Sequence, residues 1–271
     1  MGTLYVVATP IGNLQDMTPR AVETLRSVSL IAAEDTRHSR TLMTHFDIST
    51  PMISYHHHNR SQREQTLLDA LEQGDVAIIT DAGTPAIADP GQEIVAAAHE
   101  AGHAVIPIPG ASAAIAAVSA SGLVSGPFIF LGFIDRKGEE RTSMLGRAMS
   151  TTWPVVLFES PNRLGTTLQE LLQVFGNRRC VIARELTKKF EEITSGELSL
   201  LATTYAEIDV RGEIVIVVGA GGEEAAVGDI DDIARSLLAQ GLKPAKAARE
   251  LAQIAGITGD VAYDIIRKVP R

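Results

Sequence analysis

Four short apolar runs, each ending in a turn rich in Gly, Pro, Asp or Ser, mark the first 112 residues and limit the fold more than any other feature. Leu4–Ala8 leads into Thr9-Pro10-Ile11-Gly12 and Leu30–Ala33 into Glu34-Asp35-Thr36-Arg37. Val76–Thr80 leads into Asp81-Ala82-Gly83-Thr84-Pro85, and Ala104–Ile108 into Pro109-Gly110-Ala111-Ser112. Stretches of helical periodicity separate them. Thr18 caps the first, with Pro19 in its first turn and Ala21, Leu25 and Val28 on one face. Gly74 closes another over Gln65–Gln73, and Gly102 a third over Glu93–Ala101. Strand, turn, helix, strand, repeated, predicts an α/β domain around a mostly parallel sheet. Such sheets take ligands beyond the carboxyl ends of their strands, so the four turns are expected to converge on one small-molecule site.

A small-residue helix over Ala111–Ser121 and a linker over Gly122–Gly126 close this domain at residues 1–122. A second α/β domain is expected over 123–222. It holds apolar strands near Phe128–Leu131, Val155–Phe158, Val181–Arg184, Glu192–Ser195 and Gly212–Val218, a polar basic segment over Asp135–Arg147, and a helix over Leu164–Phe175. Gly219-Ala220-Gly221-Gly222, followed by Glu223-Glu224, reads as a hinge. The remainder, 223–271, is helical in pattern. Ile230, Ile233, Ala234 and Leu237 lie on one face before Gly241, and Ala247, Leu251 and Ile254 follow Lys243-Pro244. After Gly256, Thr258 caps a third helix with Val261, Ile265 and Ile266. Two readings stay open for this extension. It is a helix-turn-helix docking on nucleic acid through Lys243, Lys246, Arg249, Arg267 and Lys268, or a small packing or dimerisation bundle.

Composition narrows the class. At 45% hydrophobic and 21% charged residues, the chain has the makeup of a folded globular protein. The lone Cys180 excludes an internal disulfide framework and a cysteine-built zinc site, which fits a reducing cytoplasm. No apolar stretch reaches membrane-spanning length, and the start of the chain does not read as a signal peptide. The net charge of −9 argues against a nucleic-acid coat protein. The charge is uneven, however. Residues 1–120 carry 6 Lys and Arg against 13 Asp and Glu, whereas residues 121–190 carry 10 against 6. That basic block offers Arg136, Lys137, Arg141, Arg147, Arg163, Arg178 and Arg179 to phosphates.

The turn after the first strand lacks the glycine pattern of dinucleotide-binding folds, and no GxxxxGK[ST] loop exists, so NAD and ATP chemistry is disfavoured. His56-His57-His58 has no carboxylate or cysteine at ligand spacing and reads as a polar surface loop; no metal is expected. Asp81 can accept from a ribose hydroxyl or an ammonium group, and Gly83 lets a ligand approach the backbone. Opposite charges sit close together in Glu34-Asp35-Thr36-Arg37 and in Arg184-Glu185-Leu186-Thr187-Lys188. Each group can move a proton or hold phosphate, or can serve as a structural ion-pair network. Ser160 lacks the glycines of a nucleophile elbow.

The ordered segments LYVVATPIGNLQDMTPRA, AEDTRHS, TDAGTPAIADPG, PIPGASA, FESPNRL, RELTKKFEE and RGEIVIVV resemble the ribosomal-RNA branch of the tetrapyrrole-methylase-type S-adenosylmethionine enzymes. The resemblance implies a two-domain tetrapyrrole-methylase-like α/β fold, with a mostly parallel first sheet, a mixed second sheet and a small C-terminal helical extension. It implies S-adenosyl-L-methionine held in the cleft between the domains. It also implies a cytoplasmic homodimer that methylates a cytidine ribose 2′-hydroxyl of 16S ribosomal RNA near the decoding centre, within the small subunit. Cofactor contacts are expected from Pro10, Ile11, Asp81, Ala82, Gly83, Ser112, Ala113 and Phe158. Proton transfer and ribose positioning are expected from Glu34, Asp35, Arg37, Arg184, Glu185 and Lys188. A related enzyme acting on a tetrapyrrole or a protein side chain, and a non-catalytic nucleic-acid binder, are the rival readings.

Overall fold

A computed structural model describes residues 1–56, 59–208, 210–221, 234–235, 237–238, 242–255 and 259–269. The expectations placed on His57, His58, Gly222, Glu223, Glu224, Ile230, Ile233, Gly241, Gly256 and Thr258 lie outside the described residues. The chain groups into two compact units. One comprises Met1–Ala120 and Ala183–Ile193, the other Ser121–Ile182 and Thr194–Arg271.

The first unit is built on β1 (Thr3–Val7), β2 (Leu30–Ala33), β3 (Met52–Ser54), β4 (Val76–Ile79) and β5 (Ala104–Ile108). They lie in the order β3-β2-β4-β1-β5, and every pairing is parallel, with Leu4 beside both Val76 and Val105. The sheet is therefore parallel throughout rather than mostly so. Helices cover both faces, which is why β4 is buried along its whole length. On one face α1 (Pro19–Ser27) and α2 (Thr36–His45) contribute Ala21, Leu25 and Met43 to a core with Val7, Ile31 and Ile79. On the other, α3 (Arg60–Gln73) and α4 (Gln92–Glu100) contribute Leu67, Leu71, Ile94 and Ala98 against Leu4, Ala32 and Ile78. A short helix α5 (Ala113–Ser121) follows β5. Thr18 caps α1 as the sequence predicts, its Oγ1 accepting from Ala21 N at 3.2 Å.

Two elements here escape the sequence pattern. α2 buries only Ser39 and Met43, so its apolar stripe is too thin to read. β3 is three residues long at the sheet edge. α3 begins at Arg60, five residues ahead of the predicted Gln65.

The second unit centres on β6 (Ile129–Phe133), β7 (Val155–Glu159), β8 (Arg179–Arg184), β9 (Glu192–Glu197) and β10 (Ile214–Val218), in the order β6-β7-β10-β8-β9. β6 runs parallel and β10 antiparallel to β7, so this sheet is mixed, as expected. The ends of β8 and β9 and the turn joining them group with the first unit. Helices α6 (Glu139–Met149), α7 (Leu164–Phe175) and α8 (Leu198–Thr204) pack Leu145, Leu168, Leu171 and Leu201 onto Leu157, Ile182 and Ile216. α6 occupies the segment that reads from sequence only as polar and basic. α8, seven residues long, was not expected. Helices α9 (Pro244–Ala255) and α10 (Gly259–Lys268) share a separate small core of Ala247, Leu251, Ala262 and Ile266 with Ala234 and Leu237. No helix among the described residues is long and apolar enough to cross a membrane.

Candidate functional site

β1 and β4 are neighbours in the sheet, yet the chain leaves them for opposite faces, to α1 and to α4. The turns beyond their carboxyl ends thus part from each other, which is where α/β sheets bind ligands. Backbone stitches these turns together. Thr9 N donates to Gly83 O at 2.9 Å and Gly83 N to Thr9 O at 3.1 Å. Ala8 N reaches Ile108 O at 3.1 Å, and Thr84 Oγ1 reaches Ala111 O at 3.3 Å, which ties in the turn after β5. Three of the four turns thus meet. Gly83 sits at φ +82°, and a Cβ on it would stand 3.5 Å from Ile11 Cγ2. Any other residue there costs about 1–2 kcal/mol in backbone strain alone. A Cβ on Gly110 would stand 3.0 Å from Ala8 Cβ.

The turn after β2 joins by reciprocal carboxylate bonds. Asp35 N donates to Asp81 Oδ1 at 3.2 Å, and Asp81 N donates to Glu34 Oε2 at 3.3 Å. Glu34 and Asp81, far apart in sequence, are brought together because β2 and β4 are adjacent. Burial raises the pKa of Glu34 above its ordinary 4.5, and the neighbouring Asp81 charge adds to this; the hydrogen bond from Asp81 N opposes it. Asp35 behaves oppositely. The Arg37 guanidinium, bonded to it at 3.2 and 2.9 Å, holds its carboxyl down at about 2. Asp35 also caps α2 by accepting from Arg37 N at 2.8 Å, and the Arg37 side chain is 89% exposed.

The turn between β8 and β9 packs on the loop after β1. Lys188 and Thr187 lie against Gly12, where a Cβ would approach Thr187 Oγ1 to 2.9 Å. That hydroxyl is buried with no hydrogen-bond partner among the described residues. Lys188 Nζ donates to Glu185 Oε1 at 2.8 Å, and Arg184 binds Glu192 Oε2 at 2.9 and 2.7 Å. Glu185 and Thr187 hold φ of +52° and +67°, and Ala86 and Ala88 in the loop after β4 hold +67° and +62°. Non-glycine residues in this region cost on the order of 1–3 kcal/mol each and persist where surrounding structure pins them, often at functional sites.

The structure therefore gathers Ile11, Gly83, Asp81, Glu34 and Lys188 into one region of the first unit. Pro10 is buried beside Ile11, and Ala82 bridges Asp81 and Gly83. Ser112 serves the start of α5, its Oγ 3.5 Å from Ile115 N, and Ala113 is the first residue of that helix. Thr9, Gly12, Thr84 and Thr187 join the site without having been singled out. Thr9, Gly12 and Thr84 lie within the turns the sequence marks and Thr187 within the charged segment Arg184–Lys188, and that membership was the only signal. Phe158 belongs to the second unit, where its ring meets Phe130 edge-on at 5.1 Å and Phe133 at 5.3 Å.

The basic block divides by environment. Arg141 is buried: its Nε binds both Glu170 oxygens at 3.0 and 2.8 Å, and its Nη1 binds Asp135 O at 2.6 Å. Arg163 binds Glu159 at 3.2 Å and the carbonyls of Ile134 and Asp135 at 3.0 and 3.3 Å. Arg178 lies over the Phe175 ring, and Arg179 faces Ser195 and Glu197. Arg141 and Arg163 thus hold the second unit together and are not free to meet phosphate, contrary to the sequence expectation.

The sequence profile of the tetrapyrrole (corrin/porphyrin) methylases matches residues 3–202. A Synechocystis protein named ribosomal RNA small subunit methyltransferase I is 49% identical over 259 residues, covering 93% of each chain. A Pseudomonas aeruginosa protein of the same name is 44% identical over 270 residues, covering 97% of this chain and 95% of its own. Among solved structures, a Thermus thermophilus uroporphyrin-III C-methyltransferase complexed with S-adenyl homocysteine superposes with a TM-score of 0.58. It is 18% identical and covers 80-odd per cent of this chain (81%) and 97% of its own, a likeness of fold.

Proposed function

The chain belongs to the tetrapyrrole (corrin/porphyrin) methylase family, and from that premise we propose that it is an S-adenosylmethionine-dependent methyltransferase acting on 16S ribosomal RNA, at the ribose 2′-hydroxyl of a cytidine near the decoding centre. The observation that carries the RNA reading is the near end-to-end likeness to relatives named for the small-subunit RNA. In this reading the enzyme works in the cytoplasm as a homodimer on the small subunit.

The residues present fit the cofactor. Glycine at position 83 leaves room against the backbone, Asp81 offers a half-buried carboxylate to hydroxyl or ammonium groups, and the Thr187 hydroxyl lies buried and unsatisfied beside Gly12. Asp81, Gly83, Ile11 and the turn at Ser112 would hold it. When bound, it supplies a methyl group on a cationic sulfur, already activated for in-line displacement. The protein must hold the acceptor oxygen about 3 Å from that carbon, exclude water and take the hydroxyl proton.

Glu34 suits the proton-accepting role best. Its burial-raised pKa brings it closer to the operating pH, where a general base is most effective. Asp35, held at about 2 by Arg37, is a feeble base, and Glu185 is engaged by Lys188. Lys188 and Arg184 are assigned to steadying the ribose and its phosphate. The test is methyl transfer from labelled cofactor to unmodified small ribosomal subunits, beside uroporphyrinogen. Label is expected at one cytidine of 16S RNA, with the next phosphodiester resistant to alkali because its 2′-oxygen is blocked. Label in the porphyrin alone, or in a base, overturns the reading.

A further inference from the structure

We propose that a polar groove between α6 and α7 of the second unit is a docking site for the phosphate–ribose backbone of the RNA, with Arg136 and Lys137 as its anion contacts. This deepens the RNA reading above and rests on it.

The groove has a volume of about 810 Å³, and its lining includes no apolar side chain. Asn162, Thr166, Gln169 and Gln173 supply neutral donors and acceptors along one wall. Thr166, Gln169 and Gln173 recur at helical spacing, so α7 presents a continuous amide-rich face. Two of the arginines that line the groove are neutralised by ion pairs. Arg141 is paired with Glu170, and Arg163 with the buried Glu159. Arg136 and Lys137 are exposed and have no carboxylate partner among the described residues, so the groove carries their two charges net.

The internal pairs have a positioning role. Thr167 Oγ1 donates to Glu159 at 2.6 Å and accepts from Arg141 at 3.4 Å, which links the two ion pairs into one network. Both arginines in that network also grip the carbonyl of Asp135, Arg141 at 2.6 Å and Arg163 at 3.3 Å. The next two residues in the chain are Arg136 and Lys137. The network therefore fixes the backbone from which the two free cations project. Neutral amides between fixed cations suit a polyanion whose charges are spaced by sugars, which phosphate contacts position without reading sequence.

A second groove on α6 differs in chemistry. It holds about 530 Å³ and is lined by Ile129, Leu131 and Met144 with Glu139, Glu140 and Arg147. Its carboxylates repel a phosphate backbone, so Arg147, which the sequence offers to phosphate, is assigned no contact there and provides a control of equal charge.

The experiment measures binding of the full-length protein to unmodified small ribosomal subunits across salt, beside its S-adenosylmethionine affinity and melting temperature. Lys137→Glu is expected to weaken subunit binding at least tenfold and to lower the slope of log affinity against log salt by about 0.7–0.9, one phosphate contact. Cofactor affinity and melting temperature should stay as in the parent protein. Gln169→Glu, on the opposite wall, should weaken binding in the same way, and Arg147→Glu should leave it within twofold. Unchanged binding in Lys137→Glu and Gln169→Glu overturns the groove while the RNA reading stands. Equal weakening by Arg147→Glu overturns it too, since any lost charge would then serve. Absence of saturable subunit binding by the parent protein sinks both proposals.

Discussion

The two units each carry a five-stranded sheet, but they secure the ends of their strands by opposite means. In the first, every such bond has a backbone group on one side: Thr9 with Gly83 and Ala8 with Ile108 pair backbone to backbone, the Thr84 hydroxyl donates to the Ala111 carbonyl, and the Glu34 and Asp81 carboxylates accept from backbone amides. The residues involved are small: Gly83 holds a positive φ, and a Cβ at Gly110 would crowd Ala8. In the second, the strand end at Glu159 is held by ions, through Arg163, Thr167, Arg141 and Glu170. The contrast teaches where each kind of recognition can reside. Fixed amides and carbonyls with little side-chain bulk suit a compact cofactor. Buried ion pairs that present free cations suit an extended polyanion.

If that division holds, the chemistry lies in the first unit and its loss should be selective. Glu34→Gln is expected to cut methyl transfer by about 10²–10⁴-fold, the range of a lost general base, with RNA binding retained. The sign of the pH dependence follows from the raised pKa. Glu34 is neutral below a value above 4.5 and charged above it, so the rate should fall on acidification through that value. The variant should lose this limb. The same raised pKa favours the folded state below 4.5, an advantage lost as pH rises through the folded-state value. A variant that keeps both its rate and its acid limb moves the base to another residue.

The second unit offers the matching test of stability. Glu170→Ala strands the Arg141 guanidinium, which is 6% exposed, and should cost about 3 kcal/mol in denaturant unfolding. Subunit binding should weaken as well, since Arg141 loses the carboxylate that holds it against the Asp135 carbonyl. A cost below about 1 kcal/mol would show the pair to be no more than a surface contact.

Gly83→Val should lower cofactor affinity about 100-fold, near 2.8 kcal/mol, through positive-φ strain and a branched side chain driven toward Ile11. Calorimetry reads this directly. Retained subunit binding in the same variant supports separate duties, and parallel loss of both breaks the comparison.

The parts of this arrangement legible in sequence are those in which local chemistry and tertiary need agree. β2 and β5 match their apolar runs, and Thr18-Pro19 starts α1 where its cap says it must. The missing pieces are those in which neighbours far away decide. α2 is anchored by Asp35 rather than by an apolar stripe, and α8 is too short to show a period. Positive φ at Ala86, Ala88, Glu185 and Thr187 is imposed on residues that do not favour it. Glu34 and Asp81 were each visible, but their partnership depends on β4 inserting between β1 and β2. Counting arginines overstated the free charge, because Arg141 faces a carboxylate 29 residues away and Arg163 one four residues back at a strand end.

The smallest effect contrasts an exposed ion pair with the buried one. Asp35 and Arg37 stand in solvent, so removing Arg37 should move a titration and little else. In Arg37→Ala the Asp35 carboxyl should rise from about 2 toward 3.8, stopping short because the backbone bond from residue 37 remains. Carboxyl chemical shifts followed by NMR between pH 1.5 and 5 (a window of roughly the normal carboxylate range) would record it. Because the folded-state value is depressed, the pair's contribution is fully present above 3.8 and is lost as pH falls through about 2. Unfolding measured at neutral pH should therefore change little, as for other exposed pairs. A loss comparable to that of Glu170→Ala would mean that the first unit also relies on ions, and the contrast between the units would fail.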